Sequence, residues 1–441
     1  MKPARSLIPI GTATLLPDTA RRVRRLEDQL LAHLACWGYR EIILPTFEYL
    51  DVLSVGLAPE VLEKCYKFAD WTTGRILVLR PDVTAQIARI VAMDMGGMGL
   101  PLRLSYRTTV FRYEPEHAGR EREIFQVGVE LVGADDPHLD AEIITLLIES
   151  LKHIGLPDFK VSLGHVGFYK VLLERTGMSE AAQKEAEFAA AHKDLPRLEQ
   201  VMSQEGVPRK KAHVILEAAG RYGQDDVLQW GRKAAGRDSS LKKPLERLAK
   251  VYELLELTGV KDHILIDLGE FRGFDYYDGV VFDVFTATLG YELGGGGRYD
   301  HLLGKFGRSL PSTGFALDMD RVFAALDQRE PQTADGKPPI LLVGPQKLYS
   351  QTFRLAERLR KLDVHVIQET IQGEPSQFIR HARERGQSLA TSTVILLGAP
   401  GLSHKVVQLL DYSSKRTRPK ISQVPIQELP AMIKAQSYAN L

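Results

Sequence analysis

The chain has 441 residues, of which 44% are hydrophobic and 26% charged, an ordinary globular composition long enough for two or three domains, since single cores stop growing at roughly 250 to 300 residues. Lys+Arg number 57 against 56 for Asp+Glu, a formal net charge of +1, so no overall field draws the molecule toward nucleic acid, although a local basic patch is still permitted. Cys36 and Cys65 lack metal-site or disulfide-framework spacing, the apolar run after Lys2 and Arg5 is too short for a signal segment, and no later run reaches a membrane-spanning length; a reducing cytoplasm is expected.

Val23, Leu26, Leu30 and Leu34 fall three or four apart and Gly38 follows them, which predicts an amphipathic helix over residues 19–37. Residues 41–45 (EIILP) read as a short buried strand, and Pro45 removes a ladder donor, placing it at an edge or an interface. Strands are predicted at 76–79, 102–111 and 125–132. Asp140 reads as the N-cap of a helix that buries Ile143, Leu147 and Leu151 and ends near Gly155. Strands before helices at irregular spacing predict an α+β fold with a mixed, mainly antiparallel sheet flanked by helices.

The stretch from about 170 to 260, rich in Ala, Glu, Lys and Leu, predicts a helical insertion. Strand pattern returns at 264–268 and 279–286, followed by Gly294 to Gly297. A domain of residues 1–326 is thus expected to end in a linker, 327–339, which carries three prolines and Gly336. In 340–441, β-rich runs at 340–343, 364–367 and 394–397 alternate with helical patterns at 349–361 and 375–385, predicting a small α/β domain with a parallel sheet.

Three segments concentrate charges, aromatics and glycines beyond what a core needs: LRPDVTAQIAR (79–89), VFRYEPEHAGREREIFQVGVELVG (110–133), and EFRGFDYYDGVVFDVF (270–285) with GGGGRYD (294–300) and STGFALDMDRV (312–322). On the second, Arg112 and Glu114 share one strand face, as do Gln126, Gly128 and Glu130. Inward Gln and Glu on an apolar strand need partners, because an unpaired buried polar group costs roughly 1 to 3 kcal/mol. A polar ligand would supply them. Taken singly, each feature has a plain reading: solvated pairs for Arg120 to Glu123, core aromatics for Tyr276 and Tyr277, a turn or bulge for Gly294 to Gly297, and core or surface histidines for His117, His165 and His301.

Their order and spacing resemble one family. GYREIILPTFEYLDVL (38–53), FRYE with GRERE and QVGVELVG, and GGGRYD with STGFALDMDRV resemble motifs 1, 2 and 3 of class II aminoacyl-tRNA synthetases, and RGFDYYDGVVFD (272–283) is similar to the segment peculiar to histidyl-tRNA synthetases. The resemblance covers roughly residues 5–325 and, more loosely, a C-terminal domain similar to an anticodon-binding domain. Motif 1 implies a dimer through the Pro45 region.

Departures from the synthetase pattern point to its non-catalytic paralogue, the regulatory subunit of ATP phosphoribosyltransferase. LRPDVTA replaces the usual LRPEGTA, and LGHVGFYKVLL (163–173) resembles the paralogue. The motif 2 loop has Glu116, His117, Glu121 and Ile124 where synthetases read PQ.GRYREFHQ. In motif 3 the synthetase glycine is Asp318; a carboxylate about 5 Å from a phosphate charge would repel it by roughly 3 kcal/mol at an effective dielectric near 20, about two orders of magnitude in affinity.

The resemblance implies a histidine pocket made of Asp82 and Thr84 at the ammonium end, Gln126 and Glu130 on the ammonium or imidazole, Tyr276 and Tyr277 around the ring, and Arg112 and Arg272 on the carboxylate, with a vestigial nucleotide site at Glu114, Asp318 and Arg321. It implies no cofactor or metal, a short-form ATP phosphoribosyltransferase catalytic subunit as partner in a hetero-octamer, and histidine as feedback effector. The alternatives are a true histidyl-tRNA synthetase, favoured by the retained Arg112, Arg272 and Arg321, and a stand-alone amino-acid sensor. The basic run Lys415, Arg416, Arg418 and Lys420 reads as a solvated hairpin tip rather than a tRNA contact.

Overall fold

In a computed structural model of the chain, the described residues are 8–113, 122–156, 158–270, 276–287, 289–327, 339–372, 375–389, 391, 393–412 and 419–439. They form two compact units, residues 1–331 and 332–441. Among the described residues, no helix is long and apolar enough to cross a membrane.

The first unit begins with helix Pro17–Cys36, whose Leu30 and Leu34 are buried at its i, i+4 spacing. Its strands follow in order: β1 (Arg40–Glu41), β2 (Phe47–Tyr49), β3 (Lys67–Ala69), β4 (Ile76–Leu79), β5 (Leu102–Phe111), β6 (Glu123–Val132), β7 (Phe159–His165), β8 (Tyr222–Gly223), β9 (Ile264–Asp267), β10 (Val280–Thr286), β11 (Glu292–Arg298) and β12 (Ser312–Asp318). Nine of these make one sheet in the order β1-β5-β6-β12-β11-β10-β7-β9-β8, while β2, β4 and β3 make a small second sheet. Within the large sheet only β1–β5 and β7–β9 are parallel, so it is mixed and mainly antiparallel.

One face of the large sheet packs on helices Pro17–Cys36 and Pro137–His153, with Leu34, Val129, Ile144, Leu147, Phe282 and Phe315 in a common core. The other face packs under helix Thr84–Met93, with Ile87, Val91, Tyr106, Tyr276, Tyr277 and Tyr299 in a second, smaller core. Helices Glu180–Ala191, Leu195–Gln204, Arg209–Gly220, Asp225–Ala235 and Ser239–Leu257 stand between β7 and β9. Three of them start on side-chain caps, Ser179, Asp194 and Asp238 accepting from the amides of Ala182, Arg197 and Ser240.

Two local expectations are corrected. The helix expected to begin at Asp140 begins at Pro137, and its N-cap is Asp136, which accepts from the His138 amide at 2.8 Å. Asp140, only 1% exposed, is drawn into ion pairs with Arg298 at 2.7 Å and Arg247 at 2.8 Å, long-range partners that no local pattern reveals. The expected buried strand at 41–45 is only the exposed pair Arg40–Glu41, and Ile43 is 90% exposed. Past Ile42, whose amide still donates to the Ser105 carbonyl at 2.9 Å, the chain turns to side-chain partners: the Pro45 carbonyl accepts from Arg80 Nη1 and Gln86 Nε2, each at 2.8 Å.

The second unit has β13 (Ile340–Pro345), β14 (Val366–Ile371), β15 (Thr393–Leu397), β16 (Val406–Asp411) and β17 (Lys420–Pro425) in the order β14-β13-β15-β16-β17. The first three are parallel as the βα alternation predicts. The last two extend the sheet antiparallel, so the all-parallel expectation is corrected; β17 is mostly exposed and polar and carries no strand pattern. The linker residues 328–338 and Lys415, Arg416 and Arg418 lie outside the described residues; Lys420 opens β17.

Candidate functional site

Across β5, β6, β12, β11, β10 and β7, the register aligns Leu104, Glu130, Gly314, Gly297, Val281 and Gly164 in one row. The next row on the same face holds Tyr106, Gly128, Ala316, Gly295, Asp283 and Ser162. Five of these twelve positions are glycine, so the centre of the face is a floor without side chains. The glycines are needed for space: a Cβ on Gly314 would collide with the Glu130 carboxylate, and one on Gly297 would lie 2.9 Å from the Tyr277 ring and 2.7 Å from the Val280 carbonyl. Gly294 to Gly297 therefore belong to a strand that a bulky residue could not occupy, and are not a turn.

Polar groups surround this floor. Thr84, the first residue of helix Thr84–Met93, donates to Glu130 Oε1 at 2.7 Å, and the Tyr299 hydroxyl donates to Glu130 Oε2. Asp82 Oδ1 accepts from the Ala85 amide at 2.7 Å, and its Oδ2 accepts from the Tyr276 hydroxyl at 3.2 Å. Tyr276 lies 4.7 Å from Tyr277 and 5.8 Å from Tyr299 between ring centroids, both pairs inclined, the geometry aromatic quadrupoles prefer. Arg112 Nε donates to the Pro81 carbonyl at 2.7 Å, which sets its guanidinium beside Asp82.

Burial dominates the electrostatics. It lifts Glu130 from 4.5 to about 8, against the opposing hydrogen bonds of Tyr299 and Thr84, so this carboxyl is mostly neutral near pH 7. Burial also raises Asp82, opposed by the Ala85 amide and Arg112. Tyr276, Tyr299 and Tyr106 are pushed well above the ordinary phenol value by burial first and neighbouring carboxylates second. Two carboxyls in an aromatic, poorly solvated cluster are suited to a cationic or hydrogen-bond-donating ligand, which would restore their charge.

At the far end of the same face, Gln126 donates to Asp318 Oδ1 at 2.8 Å. Arg321 lies 3.5 Å from Asp318, donates to the Glu292 carbonyl at 2.7 Å and to its carboxylate at 2.8 Å, and stands over the Tyr291 ring. Asp320 accepts from the Phe125 amide at 3.2 Å.

The fold thus brings Asp82, Thr84, Glu130, Tyr276 and Tyr277 into one cluster, with Arg112 at its edge, and puts Gln126, Asp318 and Arg321 in a second group. Glu114 and Arg272, with the motif 2 loop residues Glu116, His117, Arg120 and Glu121, lie outside the described residues. Sequence reasoning missed Tyr299 as a pocket residue, although it sits in GGGRYD, and also Tyr106, whose hydroxyl lies over Gly128, and the Ser162–Glu270 hydrogen bond beside Gly164. Alternation on β5 and β7 could have flagged Tyr106 and Ser162; nothing local pairs Ser162 with Glu270. The described residues contain no group of three or more His, Cys, Asp or Glu that could hold a metal.

The family model for histidyl-tRNA synthetase matches residues 11–322. The chain is 40% identical over 332 residues to the ATP phosphoribosyltransferase regulatory subunit of Moorella thermoacetica, covering 75% of this chain and 84% of that one. It is 33% identical over 381 residues to that of Geobacter sulfurreducens, covering 86% and 87%. A crystal structure from Bacillus halodurans, described as an ATP phosphoribosyltransferase regulatory subunit/histidyl-tRNA synthetase, matches with a TM-score of 0.78 at 28% identity over 91% of this chain and 100% of that one. Histidyl-tRNA synthetase from a Nostoc species shares the fold, with a TM-score of 0.77 at 19% identity over 97% and 99%. The chain belongs to the histidyl-tRNA synthetase-like family of ATP phosphoribosyltransferase regulatory subunits.

Proposed function

We propose that this chain is the non-catalytic regulatory subunit that assembles with a short-form ATP phosphoribosyltransferase catalytic subunit in the cytoplasm, in a hetero-octamer, and reports histidine to it in the first step of histidine biosynthesis. One observation carries the reading: the amino-acid end of the cleft keeps a hydrogen-bonded, aromatic-lined pair of carboxyls, Glu130 and Asp82, while at the other end Gln126, Asp318 and Arg321 engage one another. Histidine would place its ammonium by Asp82 and Thr84, its ring among Tyr276, Tyr277 and Tyr299 with Glu130 on an imidazole nitrogen, and its carboxylate toward Arg112 and Arg272; Gln126, expected to share the ring, is instead engaged by Asp318. A site built to pair a ring nitrogen rejects amino acids that leave its buried partner unmet.

The nucleotide half works against adenylation in two ways. Asp318 places negative charge where a triphosphate would lie, and it occupies Gln126. Arg321 offsets part of that charge but is itself held by Glu292. With this half closed, tRNA charging falls away as a function. Self-association would run through the Pro45 region, as the motif 1 resemblance implies. The decisive experiment mixes the purified chain with the short-form catalytic subunit and measures transferase turnover with and without histidine. Activation by the chain and a histidine-dependent change are expected; no activation, or histidine-dependent ATP–pyrophosphate exchange at synthetase rates by the chain alone, would overturn the reading.

A further inference from the structure

The segment that carries Tyr276 and Tyr277 runs from the end of β9 to the start of β10; a residue of the helical insertion touches its first end, and a chain of ion pairs leads from its second end back to the insertion. At the first end, Lys193 reaches back from the close of helix Glu180–Ala191. Its Nζ lies 2.6 Å from Asp267 Oδ2 and donates to the Ala219 carbonyl at 3.1 Å and the Gly269 carbonyl at 3.5 Å. Lys193 adopts a left-handed φ of 56° as the residue after the helix C-cap, its amide donating to the Ala190 carbonyl and that of Asp194 to Ala189, a Schellman cap that turns the chain at this point. Asp267 also accepts from the Gly269 amide at 2.9 Å. Gly269 packs so closely on the insertion that a Cβ there would stand 2.7 Å from Ala219 Cα. The next residue, Glu270, accepts from Ser162 and lies over Gly164, on the floor of the pocket.

At the other end, Arg247 on helix Ser239–Leu257 pairs with Asp140 at 2.8 Å and Asp135 at 2.5 Å. The second oxygen of Asp140 holds Arg298 at 2.7 Å. Arg298 is 1% exposed, and its carbonyl accepts the Asp278 amide at 3.1 Å while its side chain lies against Gly279. Asp278 directly follows the tyrosine pair, and its carboxylate in turn accepts from the amides of Asp300 and His301. Arg298 and Tyr299 are consecutive, so the ion pair on one face of the sheet and the Tyr299–Glu130 hydrogen bond on the other are fixed by the same two residues.

We propose that Lys193 and Arg247 are positioning residues for the pocket: by gripping the tyrosine-bearing segment at its two ends, they link ligand occupancy of the pocket to the arrangement of the inserted helices. Neither residue touches the ligand; each acts through others, Lys193 through Asp267 and Gly269, Arg247 through Asp140 and Arg298. Linkage is reciprocal, so a ligand that orders the tyrosines must also order the insertion. The inference rests on the histidine-pocket reading for its ligand, but not for the grip itself.

The test uses the full chain, L-histidine as probe, calorimetry, thermal unfolding and amide hydrogen exchange. Lys193→Met and Arg247→Met are each expected to weaken histidine about tenfold, within the usual range of coupling between sites, and Lys193→Arg is expected to restore most of it. Histidine should slow exchange across residues 180–257 in the wild type and fail to do so in the two Met variants. A merely structural clamp would lower the thermal midpoint and leave affinity alone. Affinities within about twofold of wild type, or weakened binding with no protection of the insertion in the wild type, would overturn the proposal. If the wild type does not bind histidine, the pocket reading fails. The grip is then decided without ligand: faster exchange at Gly269 and Asp278 in the Met variants supports it, and unchanged exchange rejects it.

Discussion

The Gln126 carboxamide donates to Asp318 Oδ1 at 2.8 Å, and the two residues face each other directly in the β6–β12 register. A residue at position 318 without a side chain would leave Gln126 turned toward the cleft and remove a fixed negative charge from it. Asp318→Gly is therefore expected to raise MgATP affinity by as much as about two orders of magnitude, the equivalent of roughly 3 kcal/mol. Calorimetric titration with MgATP checks this, and equal affinity in both proteins would place the barrier to nucleotide elsewhere.

Glu130 makes stability depend on pH. Its carboxyl is held near 8 in the fold by burial, against an ordinary value of 4.5. The unfolded chain thus loses this proton first. Its stabilising share is complete below pH 4.5, shrinks as pH rises and is gone once pH passes 8. Glu130→Gln, which cannot titrate, should flatten the fall in urea midpoint between about pH 5 and 8 by one proton's worth. An identical slope in the two proteins would show that Glu130 is ionised in the fold.

The same carboxyl bears on the ligand. A hydrogen bond to a charged group contributes about 1.5 to 3 kcal/mol, so Glu130→Ala is expected to weaken histidine by roughly ten- to a hundredfold. Calorimetry with L-histidine measures it, and undiminished affinity would move the effector to another site, such as a subunit interface.

The buried pair Arg298–Asp140, each 1% exposed, offers a stability test. Arg298→Met leaves Asp140 with Arg247 alone in a dry environment and should cost about 3 to 5 kcal/mol. Chemical denaturation of the full chain reads this directly. A loss under about 1 kcal/mol would mean that water reaches the pair.

Around the small sheet of β2, β4 and β3, Trp71 is fully exposed, Ile43 90% and Phe47 51%, and the Phe47 and Phe68 rings meet edge to face 6.1 Å apart. Exposed large apolar side chains concentrated on one stretch of the fold are candidates for an interaction surface. If the chain self-associates through the Pro45 region as proposed, sedimentation velocity finds a dimer for the wild type, and Ile43→Glu combined with Trp71→Ala is expected to shift it to monomer while its circular dichroism stays unchanged. A double variant that remains dimeric would exclude the Pro45 side as the contact.

Much of this protein was legible in the order of its residues, because the signals are local. The three-to-four spacing from Val23 to Leu34 fixes a helix, the alternation through Gln126, Gly128 and Glu130 fixes a strand with one polar face, and PDVT, GRERE, GFDYYD and GGGRYD each stand as an unbroken motif. What the tertiary structure decided is which of these meet. Tyr299 reaches Glu130 across 169 positions, Gln126 reaches Asp318 across 192, and Asp140, expected to cap a helix, reaches Arg298 across 158. Such pairs depend on the register and on burial, and a side chain's partner in a dry interior is set by what the fold places opposite it, not by its neighbours along the chain.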